Sequence, residues 1–188
     1  MGRVKYLAMF GLILAMVSMS VPASAQQFEG DKPPHNHMLT TNPFLILFSW
    51  WNIEYEYRIA DHSTIGLAGS YTSFEDDESD VDAAKSKYLS GYAIYRYYPS
   101  IKAPSGFYFG GRLGMTSVEL DYLDDTPTEE GTAFGFGLDV GYTWLLGTNQ
   151  NFAISVGVGA TRLFGGDLED DQAAFLPIIR LVNIGVAF

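Results

Sequence analysis

The chain contains no cysteine. This absence excludes a disulfide framework, and it excludes a lipid anchor on an N-terminal cysteine. Basic residues are few, with 11 Lys and Arg against 22 Asp and Glu, for a formal net charge of −11. Nucleic-acid binding needs basic patches that neutralise phosphates, so a nucleic-acid partner is excluded. Long apolar runs are missing as well. Residues 7–17 form the longest, too short for a transmembrane helix, and nothing later reaches eighteen. Histidine is restricted to His35, His37 and His62, which leaves few groups for base catalysis or metal ligation.

What is present begins with an export pattern. Arg3 and Lys5 precede the apolar run, and Ala23-Ser24-Ala25 is a small-x-small cleavage site. The expected organisation is a signal peptide over residues 1–25, a periplasmic segment over 26–36 and one β domain over 37–188. Without Arg3 and Lys5, nine basic residues face 22 acidic ones.

From residue 50 the pattern has period two. In WWNIEYEYRI, Trp51, Ile53, Tyr55, Tyr57 and Ile59 alternate with Asn52, Glu54, Glu56 and Arg58. Such alternation marks a β-strand with two different faces. Eight such segments are expected, over 37–48, 51–60, 63–74, 86–98, 106–120, 132–146, 151–163 and 176–188. Beyond a tight first hairpin near Ser49-Trp50, their connections alternate between short turns and longer acidic loops. That is the plan of an outer-membrane barrel, with periplasmic turns at one end and surface loops at the other. In the sixth segment Phe134, Phe136, Leu138, Val140, Tyr142 and Trp144 share one face. Ala133, Gly135, Gly137, Asp139, Gly141 and Thr143 share the other. A face so rich in Gly and Ala is wrong for a solvated surface and right for a narrow lumen. Tyr57, Tyr97, Phe107, Trp144, Phe152 and Phe188 flank the short turns, as an interfacial aromatic girdle would.

The terminal LVNIGVAF places Val182, Ile184, Val186 and Phe188 on one face. It resembles the closing-strand signal that the assembly machinery of bacterial outer-membrane proteins recognises, with Phe188 as the assembly residue. Residues 37–188 resemble the small eight-stranded outer-membrane barrels, of the outer-membrane protein X type and the membrane domain of outer-membrane protein A. NPFLILFSWWNIEYEYRI, IYRYYPS and GFYFGG also resemble a family of such barrels without an assigned function. The resemblance implies an all-β transmembrane eight-stranded antiparallel up-and-down barrel in the outer membrane of a Gram-negative bacterium.

If the aromatic face meets lipid, then Glu54, Glu56, Arg58, Arg96, Arg112 and Asp139 point into the lumen as three acids and three bases. Buried charges must be paired, and the count permits it. Arg112 and Asp139, on adjacent strands, are the leading candidate pair; pairing of Glu54 or Glu56 with Arg96 depends on register. Counting from Phe188, Arg180 falls on the lipid side, where it would snorkel to a phosphate, unless a bulge turns it inward.

Residues 75–82, 119–130 and 167–171 hold 16 of the 22 acids. Glu75, Asp76, Asp77, Glu78, Asp124, Asp125, Asp170 and Asp171 are candidates for diffuse binding of divalent cations beside lipopolysaccharide; the plainer reading is a repulsive, solvated surface. No cofactor is expected. The barrel enzymes that modify lipid A need a base at the extracellular end, and no histidine is expected there. The overall expectation is a non-catalytic, monomeric barrel with a closed polar lumen, serving envelope structure or surface interaction. The alternatives are a narrow transport path and, behind it, a lipid A-modifying enzyme.

Overall fold

The computed structural model describes residues 35–75, 84–100, 102–122, 129–165 and 175–188. The expected signal peptide lies outside the described residues, as do the acidic candidates Asp76, Asp77, Glu78, Asp124, Asp125, Asp170 and Asp171.

Nine elements follow one another along these residues: β1 (His37–Thr41), α1 (Pro43–Ile46), β2 (Trp50–Ala60), β3 (Ser63–Glu75), β4 (Ala84–Tyr97), β5 (Gly106–Tyr122), β6 (Glu129–Leu146), β7 (Phe152–Phe164) and β8 (Phe175–Ala187). The eight strands form a closed antiparallel barrel in sequence order. Closure leaves no unpaired edge, which backbone in a hydrocarbon environment requires. At the seam, Met38 pairs with Ala187 and Thr41 with Ile184. His37 and Phe188 then exchange two backbone hydrogen bonds of 2.9 Å.

The first strand is shorter than expected. Instead of running over 37–48 it stops at Thr41, and the tight hairpin is replaced by a connection containing α1. Pro43 cannot donate to the ladder but suits the first turn of a helix. The Asn42 side-chain oxygen accepts hydrogen bonds from the backbone N–H groups of Phe44 (3.0 Å) and Leu45 (3.2 Å), an N-cap. Ser49, at φ +59°, turns the chain into β2. The apolar run Phe44 to Phe48 is thus no strand, and Leu47 and Phe48 stand out at 79% and 66% exposure.

Outward-facing Ile53, Leu67, Leu89, Met115, Leu138 and Val158 are each more than half exposed, a continuous apolar belt that suits lipid rather than water. Inward, large side chains are opposed by small ones. A methyl group built on Gly135 would lie 2.7 Å from the Tyr92 hydroxyl, and one on Gly137 would lie 2.9 Å from Arg112 Cγ. The bulky residues of β4 and β5 therefore fill the space that the glycines of β6 and β7 leave open.

Candidate functional site

Six charged side chains meet in the lumen, and they differ by one from the expected six. Arg96 is held between Glu54, with Nη2 2.6 Å from Oε1, and Glu56, which Nη1 contacts. Both acids reach Arg96 across β3, where Thr64 pairs with Arg96 and donates to Glu56 Oε2 at 2.7 Å. Tyr98 donates to the same oxygen at 3.1 Å. Arg96 also lies over the Tyr108 ring, 4.5 Å from its centroid.

Arg180 is the addition. It is buried in the lumen, where Nη1 contacts Asp139 and Nη2 donates to Glu54 Oε2 at 2.8 Å. Nη1 also donates to the Tyr108 hydroxyl at 3.0 Å. Of the two orientations the sequence leaves open for Arg180, a bulge in β8 selects the inward one. Ser155 pairs with Asn183 and Gly157 with Arg180, so three steps along β8 match two along β7. One extra residue reverses the alternation, leaving Phe188 outside and Arg180 inside.

Arg58, expected in the network, stands apart from it. It sits at the turn-bearing rim, where its guanidinium donates to the Asn36 side chain and its backbone N–H to Asn36 O at 2.8 Å. Three acids still face three arginines, with Arg180 in the place of Arg58. The Arg112–Asp139 contact is long, at 3.8 Å. In the register Arg112 faces Gly137 and Asp139 faces Gly110, so the two are diagonal neighbours, and Arg180 lies closer to the carboxylate.

Below the cluster, towards the short turns, Tyr98, Ala103 and Tyr108 are fully buried, and Met38, Leu145, Ala153 and Ala187 pack beside the seam. Above it, towards the loop-bearing end, lies a cavity of about 130 Å³ lined by Asn42, Asn52, Tyr88, Arg112 and Arg180, among others. Sequence reasoning missed Tyr98 and the two asparagines. Tyr98 was within reach, since the parity of Tyr92, Ile94 and Arg96 simply continues; the asparagines became legible only with α1 in place.

The histidines do not converge. His62 Nδ1 lies 2.8 Å from Tyr98 O, His35 Nε2 lies 2.9 Å from Asn149 O, and His37 Nδ1 lies 2.7 Å from the Tyr55 hydroxyl. His37 also stacks on Phe188, with ring centroids 5.3 Å apart. Among the described residues no three His, Asp or Glu side chains gather to hold a metal ion. The backbone of Glu75 closes β3 against Lys85 of β4.

Closed eight-strand topology, an apolar exterior and a charged, side-chain-filled interior define a small transmembrane β-barrel of the outer-membrane type. The chain belongs to the family described as a protein of unknown function (DUF3575), which matches residues 10–165. No curated protein sequence matches it. Among solved structures, it is similar to Ail, the attachment invasion locus protein of Yersinia pestis, in complex with the heparin analogue sucrose octasulfate. The TM-score is 0.56 at 13% identity, covering 81% of this chain and 97% of that one. Neisserial surface protein A scores 0.47 at 17% identity, covering 81% of this chain and 92% of that one. The N-terminal barrel of Pseudomonas aeruginosa OprF scores 0.46 at 13% identity, covering 82% and 98%. The Ail likeness carries the fold.

Proposed function

We propose that this protein is a non-catalytic outer-membrane barrel that works at its loop-bearing end, in envelope structure or surface interaction. It is exported by its N-terminal signal, stands as a monomer and keeps its lumen closed. The observation that carries this reading is the ion-paired cluster of Glu54, Glu56, Arg96, Asp139 and Arg180, whose side chains cross the lumen from four strands. An eight-stranded barrel has little more interior than its own side chains fill. Ail, named for attachment and invasion and crystallised with a heparin analogue, offers a precedent for surface work on this plan. The acidic loops add a diffuse attraction for divalent cations next to lipopolysaccharide.

Two measurements test the reading together. Planar-bilayer recording of the purified barrel is expected to give no resolved channel; steady conductance that rises on neutralising Asp139 would establish the transport path instead. Mass spectrometry of lipid A from cells with and without the protein is expected to give identical acylation. An added or missing acyl chain would make the barrel an enzyme.

A further inference from the structure

The cavity between the charge cluster and the loop-bearing end has side chains in its walls that carry unpartnered hydrogen-bond donors. Three of its acceptor side chains are already engaged. Glu54 is held by Arg96 and Arg180, the side-chain oxygen of Asn42 caps α1, and that of Asn52 accepts from the Asn42 backbone N–H at 2.9 Å. These bonds fix which way both carboxamides face, so their Nδ2 groups are defined. Among the cavity-lining side chains, the buried atoms left without a hydrogen-bond partner are Asn42 Nδ2, Asn52 Nδ2, Arg112 Nε and Arg112 Nη2. Every one is a donor.

Arg112 is the pivot of the arrangement. Its side chain is only 10% exposed, its nearest carboxylate is 3.8 Å away, and its guanidinium lies 5.7 Å from the centre of the Tyr92 ring. A buried cation with unmatched N–H groups is costly, and an anionic acceptor is the partner that relieves both deficits at once. The volume of about 130 Å³ is several times the roughly 10–15 Å³ that one water needs.

We propose that this lumenal vestibule is a binding site for a small oxyanion, a carboxylate foremost, anchored on Arg112 and received by the Asn42 and Asn52 amides. A single negative charge is favoured over a multiple one, because the carboxylates of Asp139 and Glu54 already stand at the floor of the site. The closed cluster beneath makes the vestibule a receptor rather than a passage, so the site stands whether or not the surface role above is correct.

The test is a titration of the full mature barrel, isotopically labelled and folded in nonionic detergent, with sodium acetate against sodium chloride at equal concentration. The readout is the nuclear magnetic resonance signal of the Arg112 Nε–H and of the Asn42 and Asn52 side-chain amides. Saturable shifts with acetate are expected. Affinity should drop about tenfold or more in Arg112→Gln, as the loss of a charge-assisted bond implies. Asn52→Asp keeps the acceptor for the Asn42 N–H but puts a carboxylate in the wall; it should retain the folded spectrum and lose acetate binding. The same signals displaced in anionic-lipid nanodiscs without acetate would assign the oxyanion to a lipid headgroup. Shifts that never saturate, or that persist undiminished in both variants, would overturn the site and leave it to water.

Discussion

Arg180 and Glu54 are 126 positions apart in the sequence and 2.8 Å apart in the lumen. Their strands are not neighbours, since β1 lies between β8 and β2. The pair therefore bridges the closing seam from inside, where β1 contributes only five residues of ladder.

Loss of Arg180 leaves Asp139 and Glu54 short of their shared cation. Arg180→Met should lower barrel stability by about 3–5 kcal/mol, the usual penalty for orphaning a buried charge. Urea unfolding in lipid vesicles measures it. A change under about 1 kcal/mol would mean the pair is no stronger than a surface one.

Lys87 and Glu119 provide the control. They also meet closely, at 2.6 Å, but their side chains are 34% and 31% exposed. Lys87→Met should cost no more than about 1 kcal/mol, and the cost should shrink further in high salt. The contrast with Arg180 measures what lumenal burial adds.

Gly135 tests the opposition of large to small. A Cβ there meets only side chains, with the Tyr92 hydroxyl at 2.7 Å and Thr161 Cγ2 at 2.9 Å. Gly135→Ala should destabilise by about 1–3 kcal/mol through overpacking. Combined with Tyr92→Leu, the two losses should be clearly less than additive in a double-mutant cycle. Simple additivity would show that the space is not shared.

Phe188 closes the seam from outside, stacked on His37. Phe188→Ala should reduce the heat-modifiable, folded fraction recovered from cell envelopes far more than it reduces refolding of the purified chain in detergent. Equal losses in both assays would make Phe188 a packing residue and not an assembly signal.

Strands β2 to β8 are legible in the sequence because one face must suit lipid and the other a crowded lumen. A period of two survives wherever both demands hold along the whole strand. Chain geometry interrupts that period at two places, where the reading fails once and is left open once. Phe44 to Phe48 has strand composition but follows Asn42-Pro43, which caps a helix more readily than it extends a ladder. Arg180 lies beyond a bulge that no composition marks. The neutral count of lumenal charges was reached with Arg58 in the place of Arg180. Counting alone could not discriminate them, because each side of that exchange carries one guanidinium.

The extra residue in β8 acts as a change of phase. Upstream, the strand keeps time with the interior charges; downstream, it keeps time with its own last residue. Deleting Val182 would force the two rhythms into one, so that either Arg180 is driven into hydrocarbon or Phe188 is folded into the lumen. A single inserted position thus lets one strand answer to the barrel's core and to its terminus at once.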